Sequence, residues 1–255
     1  MPYDFELKIE WADQRINELE RILDEWANAN RYALGVKVDP ETGEKTYYPK
    51  IVPEIPPEFS LRAGEIIQHL RSALDYLVCA AVSANGGDPE NAAFPVFKQW
   101  PLTNDQQSAF ERKVAGARQE FIQYIYDLKP YKGGNPSLWK LHALNNRDKH
   151  KLLILFHPSV RDFNFGQHLR ATREGQAFGA TSKDFMITPS KAFRVEAGQP
   201  LFADPSHAKV NENPEVRPQI AFNEVGLCEE EPLIAQLATL LHWVTGITLD
   251  CRRFL

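Results

Sequence analysis

Two stretches at opposite ends of the chain repeat apolar residues at alternating spacings of four and three. This is the pattern of a helix that packs along one face. The first seam contains Phe5, Ile9, Ala12, Ile16, Leu19, Leu23 and Trp26, and the second contains Leu233, Leu237, Leu240, Val244, Ile247, Cys251 and Phe254. Seams of equal length predict two helices that pack into one bundle. A coiled-coil homodimer is the alternative that the same spacing allows.

Three more helices and a β-hairpin are predicted between these ends. Turn residues at 39–43 separate two short β-prone runs, which favours a hairpin near 36–52. Helical periodicity then covers about 59–84, about 104–128 and a fourth helix that starts after residue 136. Asn85-Gly86-Gly87 and Pro130 supply the stops that follow the first two of these segments.

From about residue 163 the apolar period changes from 3.6 to 2, as in a strand with one buried face. The alternating apolar positions are Phe163, Phe165, Leu169 and Ala171, then Phe193, Val195 and Ala197, then Val216, Pro218, Ile220 and Phe222. This pattern predicts an antiparallel sheet of four to six strands, inserted between the fourth helix and the last.

The chain is therefore expected to be an α+β protein, a helical bundle with an inserted antiparallel β-sheet. We expect one domain over residues 1–255. Its bundle would come from about 3–35, 58–156 and 229–255, with the β-hairpin near 36–52 and the sheet insertion near 160–225.

Charge and composition limit the classes of partner. The net charge of −5 gives no general attraction to nucleic acid, so RNA or nucleotide binding would require a local patch. No apolar run approaches the roughly 18 residues of a membrane span, so no membrane is expected. Three cysteines that form no close pair indicate reduced thiols in the cytoplasm. Without a glycine-rich nucleotide motif no cofactor is expected, and His69 with Glu65 would need further ligands to hold a metal.

A run of polar and charged residues, Asn145 to Lys151, lies between two leucine-rich stretches. If a helix passes through it, positions 138, 141, 145, 148, 152 and 155 share one face. Four of these are leucine, and the middle two are Asn145 and Asp148. A polar pair within an apolar stripe is costly unless it is hydrogen-bonded, so the pair needs a structural or a chemical reason.

Arg147 and His150 lie one turn apart in this run. A guanidinium can hold phosphate oxygens in a fork, and an imidazole can move a proton near neutral pH, so the combination suits phosphodiester chemistry. The alternative is that these cations only complement a helix C-terminus. On the second helix Arg71 and Asp75 are spaced to form an ion pair beside the apolar stripe, and a pair that fixes helix register is the alternative there too.

Two segments carry a resemblance to known proteins. His69–Leu77 reads HLRSALDYL and Asn145–His150 reads NNRDKH. An LRSALDYL helix followed by an N-x-DKH segment resembles a group of uncharacterised bacterial proteins and, more loosely, the HEPN superfamily of helical bundles. That resemblance implies nucleotide binding or RNA cleavage through an arginine, a polar residue, three residues and a histidine. Aligned on His150, Asn146 takes the polar position, but Asn145 stands where the arginine belongs and Arg147 follows two positions later.

Two hypotheses follow for function. In the first, the chain is HEPN-like and RNA- or nucleotide-directed, with His150, Arg147 and Asp75 as catalytic residues. Arg71 and Asn146 would then bind phosphate, and His150 would be the general acid/base. In the second, the chain is a non-catalytic interaction or structural protein. There the Arg71–Asp75 and Asn145–Asp148 groups form one buried network that locks two helices together.

Overall fold

The computed structural model of the protein describes residues 3–150, 154–164, 186–187, 194–204 and 216–255. Six α-helices and two small antiparallel sheets occur in these ranges, which confirms the predicted α+β class. The elements are α1 (Asp4–Ala29), β1 (Leu34–Val38), β2 (Lys45–Pro49), α2 (Pro57–Ala84), α3 (Asn104–Lys113), α4 (Gln119–Asp127), α5 (Pro136–His150), β3 (Phe156–Asn164), β4 (Met186–Ile187), β5 (Phe202–Asp204), β6 (Val216–Phe222), α6 (Leu233–Cys251) and a 3₁₀ turn (Arg252–Phe254).

The chain divides into two compact units. The helical unit comprises Met1–Leu19, Glu58–Ile154 and Ile234–Leu255, and the strand unit comprises Glu20–Pro57 and Leu155–Leu233. Most of the helices belong to the first unit and all of the described strands belong to the second. The expectation of one domain over the whole chain stays a prediction.

The two terminal seams supply part of the interior of the helical unit. Phe5, Ala12, Ile16 and Leu19 of the first seam are buried, and so are the members of the second seam from Leu237 to Phe254. The apolar face of α2 is completely buried at the positions Ile66, Ile67, Leu70, Leu74 and Leu77. Burial of aliphatic side chains at helical spacing is what holds such a bundle together.

The segment Leu233–Phe254 is the one helical stretch in the described ranges that is long and apolar enough to cross a membrane. The core helix of a soluble bundle has the same length and composition. In this structure Asp250 accepts a hydrogen bond from the Tyr124 hydroxyl at 2.9 Å, and Phe254 packs edge-on against Phe121. The expectation of no membrane partner stays a prediction.

The prediction of one helix over about 104–128 was wrong, because this stretch forms α3 and α4 with a break between them. Gly116 lies in the break with a φ of +86°, a conformation that residues with a side chain rarely adopt. A Cβ at Gly116 would lie 3.1 Å from the Cα of Gly87, so the two glycines allow the loops to approach closely. Asn85 holds the contact by donating from Nδ2 to the Gly116 carbonyl oxygen at 2.9 Å.

The predicted hairpin is confirmed as β1 and β2, which pair antiparallel from Leu34↔Pro49 to Val38↔Lys45. The Asp39 side chain orders the turn, because its Oδ1 accepts hydrogen bonds from the N–H groups of Glu41 and Thr42. This Asx turn is what the sequence around 39–43 predicts.

The prediction of a single inserted sheet was wrong for β5, which pairs with the hairpin and not with the other strands of the insertion. The described strands form two three-stranded sheets in the orders β1-β2-β5 and β4-β3-β6. The other edge of β2 pairs antiparallel with β5, from Lys45↔Asp204 to Tyr47↔Phe202, so β5 extends the hairpin to three strands. The expected strand at Val216–Phe222 is β6, whereas 194–197 forms no strand and the expected alternation over 165–171 lies outside the described residues.

Candidate functional site

The helical unit contains a closed ring of hydrogen bonds that joins α2 to the backbone of Phe94. Arg71 donates from Nη1 to Asp75 Oδ1 at 2.6 Å and from Nη2 to the Phe94 carbonyl oxygen at 2.7 Å. The Phe94 N–H completes the ring by donating to Asp75 Oδ1 at 2.8 Å. Arg71 is 7% exposed and Phe94 is completely buried. We call these three residues the Arg71 clamp; it satisfies both backbone polar groups of Phe94 and anchors the loop that follows α2.

Helix α5 lies along α2 with its apolar face inward. Leu138, Leu141, Leu144 and Asn145 are buried, as the predicted stripe requires up to that point. Asp148 lies against Gly64, since a Cβ built on Gly64 would be 2.5 Å from Asp148 Oδ1. His142 precedes Asp148 on α5, and Arg71, whose charge acts on His142, follows Gly64 on α2. The two helices therefore run antiparallel.

The second hypothesis joins the Arg71–Asp75 pair and the Asn145–Asp148 pair into one network, but the two pairs lie at different heights along α2. Gly64, where Asp148 packs, precedes Arg71 by two helical turns, or roughly 10 Å. Burial raises the pKa of the Asp148 carboxyl, and the nearby Lys149 opposes that rise. Asn145 Oδ1 is buried and has no hydrogen-bond partner among the residues that the structure describes. The Arg71 clamp is thus complete without Asn145 and Asp148.

The other predicted site residues lie toward the C-terminal end of α5. Asn146 and Arg147 are exposed on its surface. His150 is the last residue of the helix, and its side chain lies outside the described part of the structure. Asp75, the predicted orienting carboxylate, uses one oxygen to accept from both Arg71 and Phe94. The structure therefore joins Arg71 with Asp75, and it places Asn146 and Arg147 on another helix.

His142 on α5 was not among the predicted site residues, yet the charge of Arg71 acts on it. Its Nε2 lies 2.9 Å from Asn146 Nδ2, so with the amide in this orientation Asn146 donates and the neutral ring carries its proton on Nδ1. His142 Nδ1 is buried and has no hydrogen-bond partner within the described ranges. The spacing of four between His142 and Asn146 was visible in the sequence, but nothing local indicated that His142 would face Arg71.

Lys113 at the end of α3 was also missed. Burial lowers the pKa of its ammonium group, the charge of Arg71 lowers it further, and Asp75 opposes both. The ammonium lies 5.8 Å from the centre of the Phe97 ring. We call the three cations Arg71, Lys98 and Lys113, whose charges all act on His142, the cationic cluster.

The cationic cluster explains the electrostatics of His142. Burial is the main cause that lowers the pKa of His142 to about 4, and the charges of Arg71, Lys113 and Lys98 lower it further. Asp75 is the carboxylate that opposes them. The imidazole is consequently neutral at pH 7, with the N–H on Nδ1 left as its hydrogen-bond donor.

We expect this shift to appear in the pH dependence of stability. Because the folded pKa of His142 is about 4 and the ordinary value is 6.5, the unfolded chain binds this proton more tightly. The contribution of neutral His142 is complete above about pH 6.5 and is lost as the pH falls toward 4. His142→Gln should therefore lose less unfolding free energy than the wild type between pH 6.5 and 4, measured by urea denaturation.

The exposed His242 on α6 supplies the control for this measurement. His242→Gln should follow the wild-type pH dependence. If His142→Gln also follows it, the buried neutral state of His142 is contradicted.

A metal site at His69 and Glu65 finds no support in the geometry. The His69 Nε2 to Glu65 Oε1 distance is 3.7 Å, and the Lys8 ammonium donates to His69 Nδ1 at 3.3 Å. No group of three histidine, cysteine or acidic side chains that could hold a metal occurs among the described residues.

Comparisons with known proteins identify no relative, so a function can be argued only from the chain's own residues. The resemblance to the uncharacterised bacterial group and to the HEPN superfamily stays a prediction from the two segments that carry it. No family model, curated protein or solved structure matches this chain.

Proposed function

We propose that the chain binds phosphate groups of RNA or of a nucleotide beside the cationic cluster and acts on them by HEPN-like chemistry. The observation that carries the proposal is the buried His142 Nδ1, which has no partner in the described ranges and lies in the field of the charges of Arg71, Lys113 and Lys98. A bound anion would accept a hydrogen bond from this N–H and offset the positive charge of the cationic cluster.

The charge balance of the cluster favours an anion. Arg71 is matched by Asp75 in the clamp, whereas Lys113 and Lys98 add positive charge to the same field. Lys113 is half-buried, so its charge is screened less than that of a surface lysine. A phosphate group combines one or two negative charges with several acceptor oxygens, and lysine is a common partner for it.

Helix α5 would supply the remaining chemistry. Asn146 is exposed and bonds His142, so it can position the ring and also present an amide to a phosphate oxygen. Arg147, exposed on the next position, remains the second proposed phosphate ligand. His150 remains the proposed general acid/base at the end of the same helix. In this scheme Arg71 and Asp75 act as a positioning pair, because their bonds to each other and to Phe94 occupy them.

Binding of a short labelled single-stranded RNA by fluorescence anisotropy, and of ADP by calorimetry, would test this proposal. Lys113→Gln and His142→Gln should each weaken binding about tenfold or more, since a hydrogen bond to a charged group is worth about 1.5–3 kcal/mol. Arg112→Gln is the matched control, because it removes one exposed positive charge from the same turn of α3. At fixed salt it should change binding by no more than about twofold.

Two results would overturn the proposal: no binding of RNA or ADP by the wild type, or equal losses in Lys113→Gln and Arg112→Gln. His150→Ala adds a test of the acid/base role. Unchanged RNA cleavage together with unchanged binding in that variant would contradict the role of His150.

The second candidate is a non-catalytic interaction protein, and the completeness of the Arg71 clamp favours it. A guanidinium that is bonded to a carboxylate and a backbone carbonyl, and is 7% exposed, has its principal donors engaged within the fold. On this reading the polar residues of α2 and α5 maintain the bundle, and substitutions there reduce stability without affecting any ligand.

A further inference from the structure

Exposed aromatic and aliphatic side chains gather on α1 and α2 of the helical unit, away from the cationic cluster. Trp11 and Tyr76 are each 42% exposed and Leu7 is 49% exposed. They line a groove of about 380 Å³ together with Asp4, Lys8 and His69. A volume of this size is at the lower end of the range for small-molecule sites. We call it the Trp11 groove.

The indole of Trp11 is held in place by the groups around it. Its Nε1–H donates to Glu65 Oε1 at 3.4 Å, and the Arg15 guanidinium lies over its ring at 4.4 Å from the centre. His69 meets the indole edge-on, with ring centres 6.4 Å apart. Arg15 does not line the groove, so the face of the indole that it covers is not the face that a ligand would meet. A fixed indole with one open face is a platform for stacking.

Lys8 provides a positive charge beside this platform. Its ammonium lies 3.3 Å from His69 Nδ1 and 5.8 Å from the centre of the Tyr76 ring. His69 accepts as an uncharged ring, since burial and the Lys8 charge lower its pKa, and Tyr76 contacts the ammonium with the face of its ring. No carboxylate lies within ion-pair distance of Lys8 among the described residues, whereas Arg15 and Arg62 each pair with Glu18.

We propose that the Trp11 groove binds a small planar aromatic compound that carries an anionic group. The aromatic part stacks on Trp11, and the anion pairs with the Lys8 ammonium. An aromatic anion fits the groove because Trp11 and Tyr76 give the groove aromatic walls. Lys8 has no carboxylate within ion-pair distance in the described part of the chain. Asp4 on the rim would accept a hydrogen bond from an amino group of the ligand. His69 and Tyr76, which also line the groove, hold the lysine in position.

This site is independent of the proposed function. His69 and Tyr76 share one face of α2, and Arg71 and Asp75 project from a face about 130° further around the helix, as their positions at 100° per residue require. A nucleotide and an aromatic carboxylate both have the required chemistry. Because a nucleotide could also reach the cationic cluster through its phosphate, the test needs a probe of each kind.

Ligand-observed NMR titrations of the full chain would test the proposal with AMP, indole-3-acetate, adenosine and acetate. The two aromatic anions should bind at least about tenfold more tightly than uncharged adenosine and than acetate. Tighter binding of AMP would identify a nucleotide as the ligand class, and tighter binding of indole-3-acetate would identify an aromatic carboxylate. Lys8→Gln and Trp11→Leu should each weaken binding of the preferred anion about tenfold.

Matched controls separate this result from a general loss of charge or of structure. Trp243→Leu removes a tryptophan of similar exposure from α6, and Lys132→Gln removes an exposed lysine of the same unit. Both should bind like the wild type, and all four variants should melt within a few degrees of it. The proposal is overturned if neither aromatic anion binds, or if Lys8→Gln and Trp11→Leu bind normally. A homodimer that Trp11→Leu disrupts, without any ligand binding, would also overturn it by identifying the groove as a subunit interface.

Discussion

Replacing Arg71 by methionine is expected to lower the free energy of unfolding by about 2–3 kcal/mol. The substitution keeps a long apolar side chain in the space but removes both bonds of the guanidinium, to Asp75 and to the Phe94 carbonyl oxygen. Breaking one partner out of a buried pair costs about 3–5 kcal/mol. We expect a smaller value because 37% of the Asp75 side chain is exposed, so water can solvate the remaining carboxylate. Urea denaturation followed by circular dichroism measures the change.

Arg62→Met is the matched control on the same helix. Arg62 pairs with Glu58 and Glu18 on the surface, and surface pairs are worth about 0–1 kcal/mol. If Arg71→Met and Arg62→Met lower the free energy of unfolding by the same small amount, the Arg71 clamp does not hold the loop to α2. If Arg71→Met is destabilised as expected, folded protein below its melting temperature can still be assayed for RNA and ADP binding. Normal binding there would assign Arg71 a structural role alone.

Local patterns predicted the elements that depend on neighbours in sequence. The two terminal seams define the buried faces of α1 and α6, and the Asp39 turn defines the hairpin. The stripe through Leu138 and Leu141 correctly placed Asn145 and Asp148 on the inner side of α5. In each case burial of one face or a turn side chain determines the local structure, so periodicity and turn chemistry were sufficient.

Contacts between distant segments were not predictable in this way. The Arg71–Asp75 spacing predicted a pair, but the partner that completes it is the backbone of Phe94, which has no sequence signature of its own. Lys113 affects His142 through the fold alone, since the two lie on different helices. The break between α3 and α4 depends on the approach of Gly116 to Gly87, a contact across a loop. Pairing of β2 with β5 likewise joins strands that are far apart in the chain.

Gly64→Ala is expected to destabilise the protein by up to about 2 kcal/mol, although alanine normally favours a helix. Glycine inside a helix costs about 1 kcal/mol relative to alanine, which would make the change favourable. At Gly64, however, a Cβ would lie 2.8 Å from Asp148 Cγ and 2.5 Å from its Oδ1. Either the Asp148 carboxyl must rotate away, although its side chain is short, or α5 must shift. Overpacking of this kind costs about 1–3 kcal/mol.

A matched glycine on another helix tests this explanation. A Cβ on Gly246 of α6 meets nothing within 4 Å, so Gly246→Ala should stabilise the protein by up to about 1 kcal/mol. When Asp148→Ala removes the obstructing carboxyl, Gly64→Ala should stabilise the protein instead of destabilising it. The double variant Gly64→Ala/Asp148→Ala should be more stable than the two single losses predict, with a coupling of about 1 kcal/mol or more. If Gly64→Ala instead stabilises as much as Gly246→Ala, then Asp148 does not pack against Gly64 in solution. The polar run of α5 would in that case meet α2 by some other contact.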